Sequence, residues 1–310
     1  MARTIAMYNT IICEKDGPVA VVTLNRPERM NSLSVQLMQE LADALAELER
    51  DDEVGALVIT GARKSDGRPC FCAGADLKDM AANGSVTFYA RFSTAQEAYL
   101  RAFEAFAKGT DTIIERGPIS VFDRLANFSK PTIAAVDGIC TAGGLEMALV
   151  CDMRIVAETA QMCDLHMKNI GHLGGAGVET RLTQLVGPSK AKELLWTGDI
   201  IDGQEAWRIG LANRVFPSNQ MLEKAIELGK DISSRRRDAV RLSKATIDAR
   251  MIFGERDSLR YTDLAAALLN LMSTPEVTNE GYNAFAEKRK PSFENEHENE
   301  KPLEAISDRS

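Results

Sequence analysis

Two short segments, FCAGADLKDM (71–80) and DGICTAGGLEMA (137–148), share one chemical plan: a buried apolar run passes into small residues and then into a helix start. Small residues let a ligand come close to the backbone. The first N–H groups of a helix have no intrahelical partner and lie at the positive end of its dipole. Two such ends facing each other would give two N–H donors to one oxygen atom, which is an oxyanion hole. The same pattern also suits two tight packing turns, and spacing alone leaves both readings open.

Other chemistries lack their signatures. The chain has no G-x-S-x-G, no G-x-x-x-x-G-K-[ST] and no H-E-x-x-H. The glycine cluster GHLGGAG (171–177) contains no G-x-G-x-x-G after a strand, so a dinucleotide fingerprint is not supported. Cys70 and Cys72 are spaced C-x-C rather than as zinc ligands, and histidines number three, so no metal site is expected. The start of the chain has no long apolar run, and the six cysteines (Cys13, Cys70, Cys72, Cys140, Cys151, Cys163) read as reduced thiols of a cytoplasmic protein.

The elements that must hold the two junctions follow from periodicity. TIICE (10–14) and PVAVVTL (18–24) flank Asp16-Gly17, a hairpin signal. Ser34 opens an amphipathic helix in which Val35, Met38, Leu41, Leu45 and Leu48 recur at helical spacing. GALVITG (55–61) and TIAAV (132–136) read as buried strands leading into the junctions, with a short helix near 143–150 and a strand over 152–158. Helix-rich sequence is expected over about 85–128. Helical signals dominate again from Pro188, with a helix in 202–210 and a strand in 213–216. Strand–helix alternation followed by a helical C-terminal third predicts α/β layers with a helical appendage.

Composition sets the outer limits. With 310 residues, 45% apolar and 26% charged, the chain can build a large core unaided. A net charge of −8 argues against a nucleic-acid surface, and no apolar run reaches the ~18–20 residues that span a bilayer. Residues 292–310 (SFENEHENEKPLEAISDRS) read as a loose acidic tail, and Arg235, Arg236 and Arg237 as a solvated helix face rather than a phosphate contact.

Five ordered motifs then carry a resemblance. LNRPERMNSL (24–33), FCAGADLKDM (71–80), KPTIAAVDGICTAGGLEMALVCDMRIV (130–156), GGAGVETRLTQLVG (174–187) and FAEKRKPSF (285–293) occur in the order seen in the crotonase family, which includes enoyl-CoA hydratases and isomerases. The resemblance covers most of residues 10–293. It implies an α/β fold: a spiral of ββα units over 1–215 with an enlarged helical insertion at 81–128, and a C-terminal helical trimerisation region over 216–291. It further implies an acyl-CoA thioester substrate, no metal or redox cofactor, and a homotrimer or dimer of trimers.

Residue by residue, Ala75 and Gly143 match the family's two oxyanion-hole donors. Asp76, Leu77 and Lys78 match the segment beside the CoA channel, and Phe285 and Lys288 the C-terminal pair that closes over CoA. The family's common Lys of the R-P-x-x-x-N loop is Glu28 here; a carboxylate repels phosphate, so Arg29 is the expected CoA contact.

Glu146 matches the first of the hydratases' two acid–base glutamates. As a first-turn residue it could merely complement the helix dipole, but an uncompensated carboxylate among Leu145, Met147, Ala148 and Leu149 would be costly, which favours catalysis. The second glutamate is missing: Met167 stands in its position, with His166 where the family has Pro. Asp164, His166 and His172 lie in the same segment, and histidine titrates near neutrality, so His166 and His172 are candidates to replace the lost carboxylate.

Hydratase or isomerase chemistry on an unsaturated acyl-CoA is the expected function. The same oxyanion hole serves thioester hydrolases, lyases and decarboxylases, and a catalytically silent acyl-CoA-binding subunit is the alternative of another class.

Overall fold

The computed structural model describes residues 3–82, 121–171, 173–250, 255–272 and 275–293. A seven-stranded sheet has the order β1(Arg3–Met7), β2(Ile11–Asp16), β3(Val19–Leu24), β4(Ala56–Gly61), β6(Thr132–Val136), β8(Met153–Ala157), β10(Arg214–Phe216). A second sheet has three strands, β5(Cys70–Cys72), β7(Ile139–Thr141) and β9(Gln161–Cys163). β1, β2 and β3 pair antiparallel, and every later pair in both sheets is parallel.

The chain alternates between the sheets in a repeating unit. β4 leads through β5 to the helix Leu77–Ala82, β6 through β7 to Gly143–Val150, and β8 through β9 to Val178–Val186. Each unit thus adds a strand to the large sheet, a strand to the small sheet and a helix, which is the expected ββα spiral.

The large sheet is apolar on both faces. On one face Ala20, Val22, Leu24, Leu57 and Ile59 pack with Leu37, Leu41 and Leu45 of the helix Val35–Arg50. On the other, Val19, Val21, Val58, Ile133 and Ile155 meet Met221 and Ala225 of the helix Met221–Ser233. Fully burying one such side chain contributes ~1.5–3 kcal/mol, so these two layers dominate the stability of the platform. Ser34 caps the first helix by accepting the Leu37 N–H at 3.2 Å. Lys130, 1% exposed, closes its other end by donating to Leu48 O at 2.7 Å and Asp51 O at 2.6 Å. Burial lowers the Lys130 ammonium to about 8.

The strands and helices expected at 18–24, 55–61, 132–136, 143–150 and 213–216 are present. In the first helix the buried stripe runs through Leu37, whereas Val35 is 40% exposed, because the cap at Ser34 leaves Val35 on the solvent side of the first turn. The arginine run is also corrected: Arg236 pairs with Asp238 at 2.8 Å with its side chain 13% exposed, and Arg237 donates to Asp52 O, so both are packing residues. Residues 83–120, His172 and 294–310 lie outside the described residues. Most of the expected helical insertion at 81–128, most of the expected acidic tail and the candidate His172 fall there. No described helix is long and apolar enough to cross a membrane.

Candidate active site

The two strand-to-helix junctions face each other. A Cβ built on Gly74 would lie 3.2 Å from Gly143 N, and one on Gly143 would lie 3.5 Å from Ala75 N. Leu33 bridges Ala75 as a parallel rung, with Leu33 N–H donating to Gly74 O at 2.8 Å and Asp76 N–H to Leu33 O at 3.0 Å. A parallel ladder uses alternate residues, so Ala75 N–H falls on the opposite edge, toward Gly143. Gly143 opens its helix, where N–H groups have no intrahelical partner. The preceding Ala142 sits at φ 50° and ψ −120°, an uncommon conformation for alanine that costs ~1–3 kcal/mol and is characteristic of functional turns.

The R-P-x-x-x-N loop braces this junction from inside. Arg26 donates to Asp76 at 2.9 Å and to Ser32 O at 2.6 Å. Asn31, fully buried at φ 52°, donates to Ala62 O and Cys70 O, each at 2.8 Å. The Asp76 carboxylate therefore serves the fold: it pairs with Arg26 and accepts the Asp79 N–H at 3.2 Å. Its neighbours Leu77 and Lys78 are exposed, as are Glu28 and Arg29 on the turn Pro27–Arg29. Phe285, on the helix Pro275–Ala286, is 87% exposed, and Lys288 follows that helix at φ 56°.

Glu146 lies one turn after Gly143 and is 3% exposed. Its Oε1 accepts the Ala176 N–H at 2.7 Å, tying it to the glycine-rich loop before the helix Val178–Val186. A Cβ on Gly174 would come within 2.6 Å of that same oxygen, so only glycine admits the loop this close. Burial raises the Glu146 carboxyl above its ordinary range, opposed by the Ala176 hydrogen bond and by His166.

His166 begins a single π turn, His166–Ile170, of the kind often found at functional sites. Its Nε2 lies 3.9 Å from Glu146 Oε2, and its Nδ1 meets Asp164 Oδ1 at 2.6 Å. Asp164 is 2% exposed, and its hydrogen bond raises the imidazole above its usual value against the pull of desolvation. Met167, the residue after His166 on that turn, is 38% exposed. The residues brought together are thus Ala75, Gly143, Glu146 and His166, with Asp164 behind the histidine. Sequence reasoning missed Arg26, whose only signal was its place at the head of the R-P-x-x-x-N motif.

A family model described as Enoyl-CoA hydratase/isomerase matches residues 14–108 and 101–296. The probable enoyl-CoA hydratase echA8 of Mycobacterium bovis is 35% identical over 286 residues, covering 92% of this chain and 98% of that protein. The crotonyl-CoA hydratase of Syntrophomonas wolfei is 36% identical, with the same coverage of 92% and 98%. The crystal structure of an enoyl-CoA hydratase from Bacillus anthracis superposes with a TM-score of 0.76 at 31% identity, over 92% of this chain and 99% of that one. With the ββα spiral and the facing junctions beside these likenesses, the chain belongs to the enoyl-CoA hydratase/isomerase family.

Proposed function

We propose that this enzyme of the enoyl-CoA hydratase/isomerase type acts on an unsaturated acyl-CoA, using Ala75 and Gly143 as oxyanion donors and Glu146 with His166 as its proton-transfer groups. The thioester oxygen accepts both N–H groups, which stabilise the negative charge it gains as an enolate. In hydration, water oxygen bonds to Cβ and the alkene electron pair moves toward the thioester oxygen. A water proton passes to Glu146 or His166, and Cα takes a proton as the enolate collapses. In isomerisation one base carries the proton between carbons, and Glu146 alone suffices. The observation that carries this reading is a 3%-exposed glutamate one helical turn from a backbone donor, with a histidine 3.9 Å away. Such a carboxyl, raised by burial, is suited to hold and return a proton.

Mass spectrometry after incubation with straight-chain, branched, alicyclic and aromatic enoyl-CoAs tests the proposal. A gain of water identifies a hydratase, and an unchanged mass with a moved double bond an isomerase. Released CoA identifies a hydrolase instead. Glu146→Gln should lose ~10²–10⁴ in kcat while still binding CoA thioesters. Binding without turnover by the unaltered enzyme on every substrate would support the silent-subunit alternative.

A further inference from the structure

Glu179 belongs to the same loop-and-helix turn as the Glu146 partner Ala176, yet it has no part in the scheme above. It lies in the first turn of the helix Val178–Val186, and its Oε1 accepts the Gly174 N–H at 3.0 Å. Two carboxylates therefore grip one short loop: Glu146 holds the N–H of Ala176 and Glu179 that of Gly174. Gly174 is also the residue whose missing Cβ lets the loop lie against Glu146 Oε1. Glu179 is half-buried, and the Gly174 that it holds at 3.0 Å abuts Glu146, whose Oε2 lies 3.9 Å from His166, so its charge stands in the same cluster and acts on the imidazole. Met167, which follows His166 on the π turn, is an uncharged and partly exposed side chain.

Resting on the proposed function, we propose that Glu179 is a positioning residue for proton transfer. Its carboxylate clamps Gly174 beside Glu146 and adds a further negative charge to the cluster of Asp164, His166 and Glu146. In this arrangement the added carboxylate reaches the site from the helix after the glycine loop. It acts through its neighbours: the clamp fixes the loop that hydrogen-bonds Glu146, and the charge favours the imidazolium form of His166. The other groups acting on that imidazole are Asp164 at Nδ1 and Glu146 at Nε2, and Glu179 adds to both in the same direction.

Two substitutions separate clamp from charge. Glu179→Gln keeps an oxygen acceptor for Gly174 N–H and removes the charge, whereas Glu179→Ala removes both. The first readout is the NMR titration of the imidazole C–H resonances, assigned with a His166→Asn variant among the three histidines of the chain. The His166 midpoint should fall in Glu179→Gln, and the matching limb of the kcat profile should move with it. The value of kcat should drop about tenfold with KM little changed, and Glu179→Ala should raise KM as well. A His166 midpoint in Glu179→Gln equal to that of the unaltered protein overturns the proposal. So does a defect confined to Glu179→Ala, which would make Glu179 a loop brace only. The NMR arm needs no turnover, so it fails independently of the functional reading. An active enzyme indifferent to Glu146→Gln would overturn that reading while leaving the Glu179–His166 coupling measurable.

Discussion

His166 joins two buried carboxyl groups: Nδ1 is 2.6 Å from Asp164 Oδ1, and Nε2 is 3.9 Å from Glu146 Oε2. The short bond to Asp164 fixes which nitrogen faces the site, leaving Nε2 as the atom able to exchange a proton with Glu146 or with substrate. Because the hydrogen bond to Asp164 raises the imidazole, the folded protein binds its proton more tightly than the unfolded chain does.

The sign of the resulting pH dependence follows directly. Stabilisation by the Asp164–His166 pair is fully present below the unfolded histidine value of ~6.5 and fades as pH rises through the raised folded value. The Tm gap between the unaltered protein and Asp164→Asn should be widest at pH 5–6.5 and should narrow above neutrality, measured by calorimetry in steps of pH. A gap that stays constant from pH 5 to 9 would mean that the pair carries no ionic component.

Neighbouring glycines predict opposite failures. A Cβ on Gly143 would meet Leu33 Cδ1 at 3.2 Å and Ala75 N at 3.5 Å, contacts that a small side-chain shift can absorb. Gly143→Ala should therefore fold with a near-normal Tm. On the proposed function its methyl would stand where the thioester oxygen is to approach Ala75, and kcat should fall ~10–10³. A Cβ on Gly144 would lie 2.2 Å from Cys72 O, against a backbone that cannot move aside. Gly144→Ala should fail in stability, with a lower Tm and poor yield of folded protein. Equal stability in the two variants would contradict this division.

The difference between what could and could not be read in the chain has a physical origin. Long apolar runs such as 55–61 and 132–136 announce buried strands, and Ser34 announces its helix, because those signals are local. The strands of the second sheet span only three residues each and carry no periodicity, so β5, β7 and β9 emerge only through their pairing. The facing junctions were half legible: each showed small residues before a helix, but their approach depends on pairing between distant segments, such as Leu33 with Ala75 across 42 positions of sequence. His166 and His172 were equal candidates in sequence. The 3.9 Å approach of His166 to Glu146 arises from the fold and could not be read from spacing, and His172 lies outside the described residues. The ion pair of Asp76 with Arg26 joins residues 50 positions apart, which spacing cannot show.

Lys130 makes a stability prediction remote from the site. With the ammonium lowered to about 8 by burial, the folded state binds fewer protons than the unfolded chain between about pH 8 and the ordinary lysine value of ~10.4. Stability should therefore rise with pH across that window, by at most ~1.4 kcal/mol per pH unit. Lys130→Met should abolish the rise and also lower stability throughout, because Leu48 O and Asp51 O lose their donor. Urea unfolding at pH 7.5, 8.5 and 9.5 compares the two proteins. Parallel pH dependences would sink the assignment.

The C-terminal helices predict assembly. Leu264 and Leu268, one turn apart on the helix Glu255–Met272, are 67% and 40% exposed, Ile247 is 65% exposed, and Tyr282 and Phe285 are 73% and 87% exposed. Apolar side chains recurring at helical spacing on an outer face mark an association surface, at ~25 cal/mol per Å² of apolar area covered. Sedimentation equilibrium should give a trimer or a dimer of trimers, as the family resemblance implies. Leu264→Glu, which places a charge in this exposed apolar face, should shift the distribution toward smaller species without lowering the helical content seen by circular dichroism. If Phe285 and Lys288 close over CoA from a neighbouring subunit, dissociation should also raise KM for the thioester. A monodisperse monomer with full activity would exclude both the assembly and the shared site.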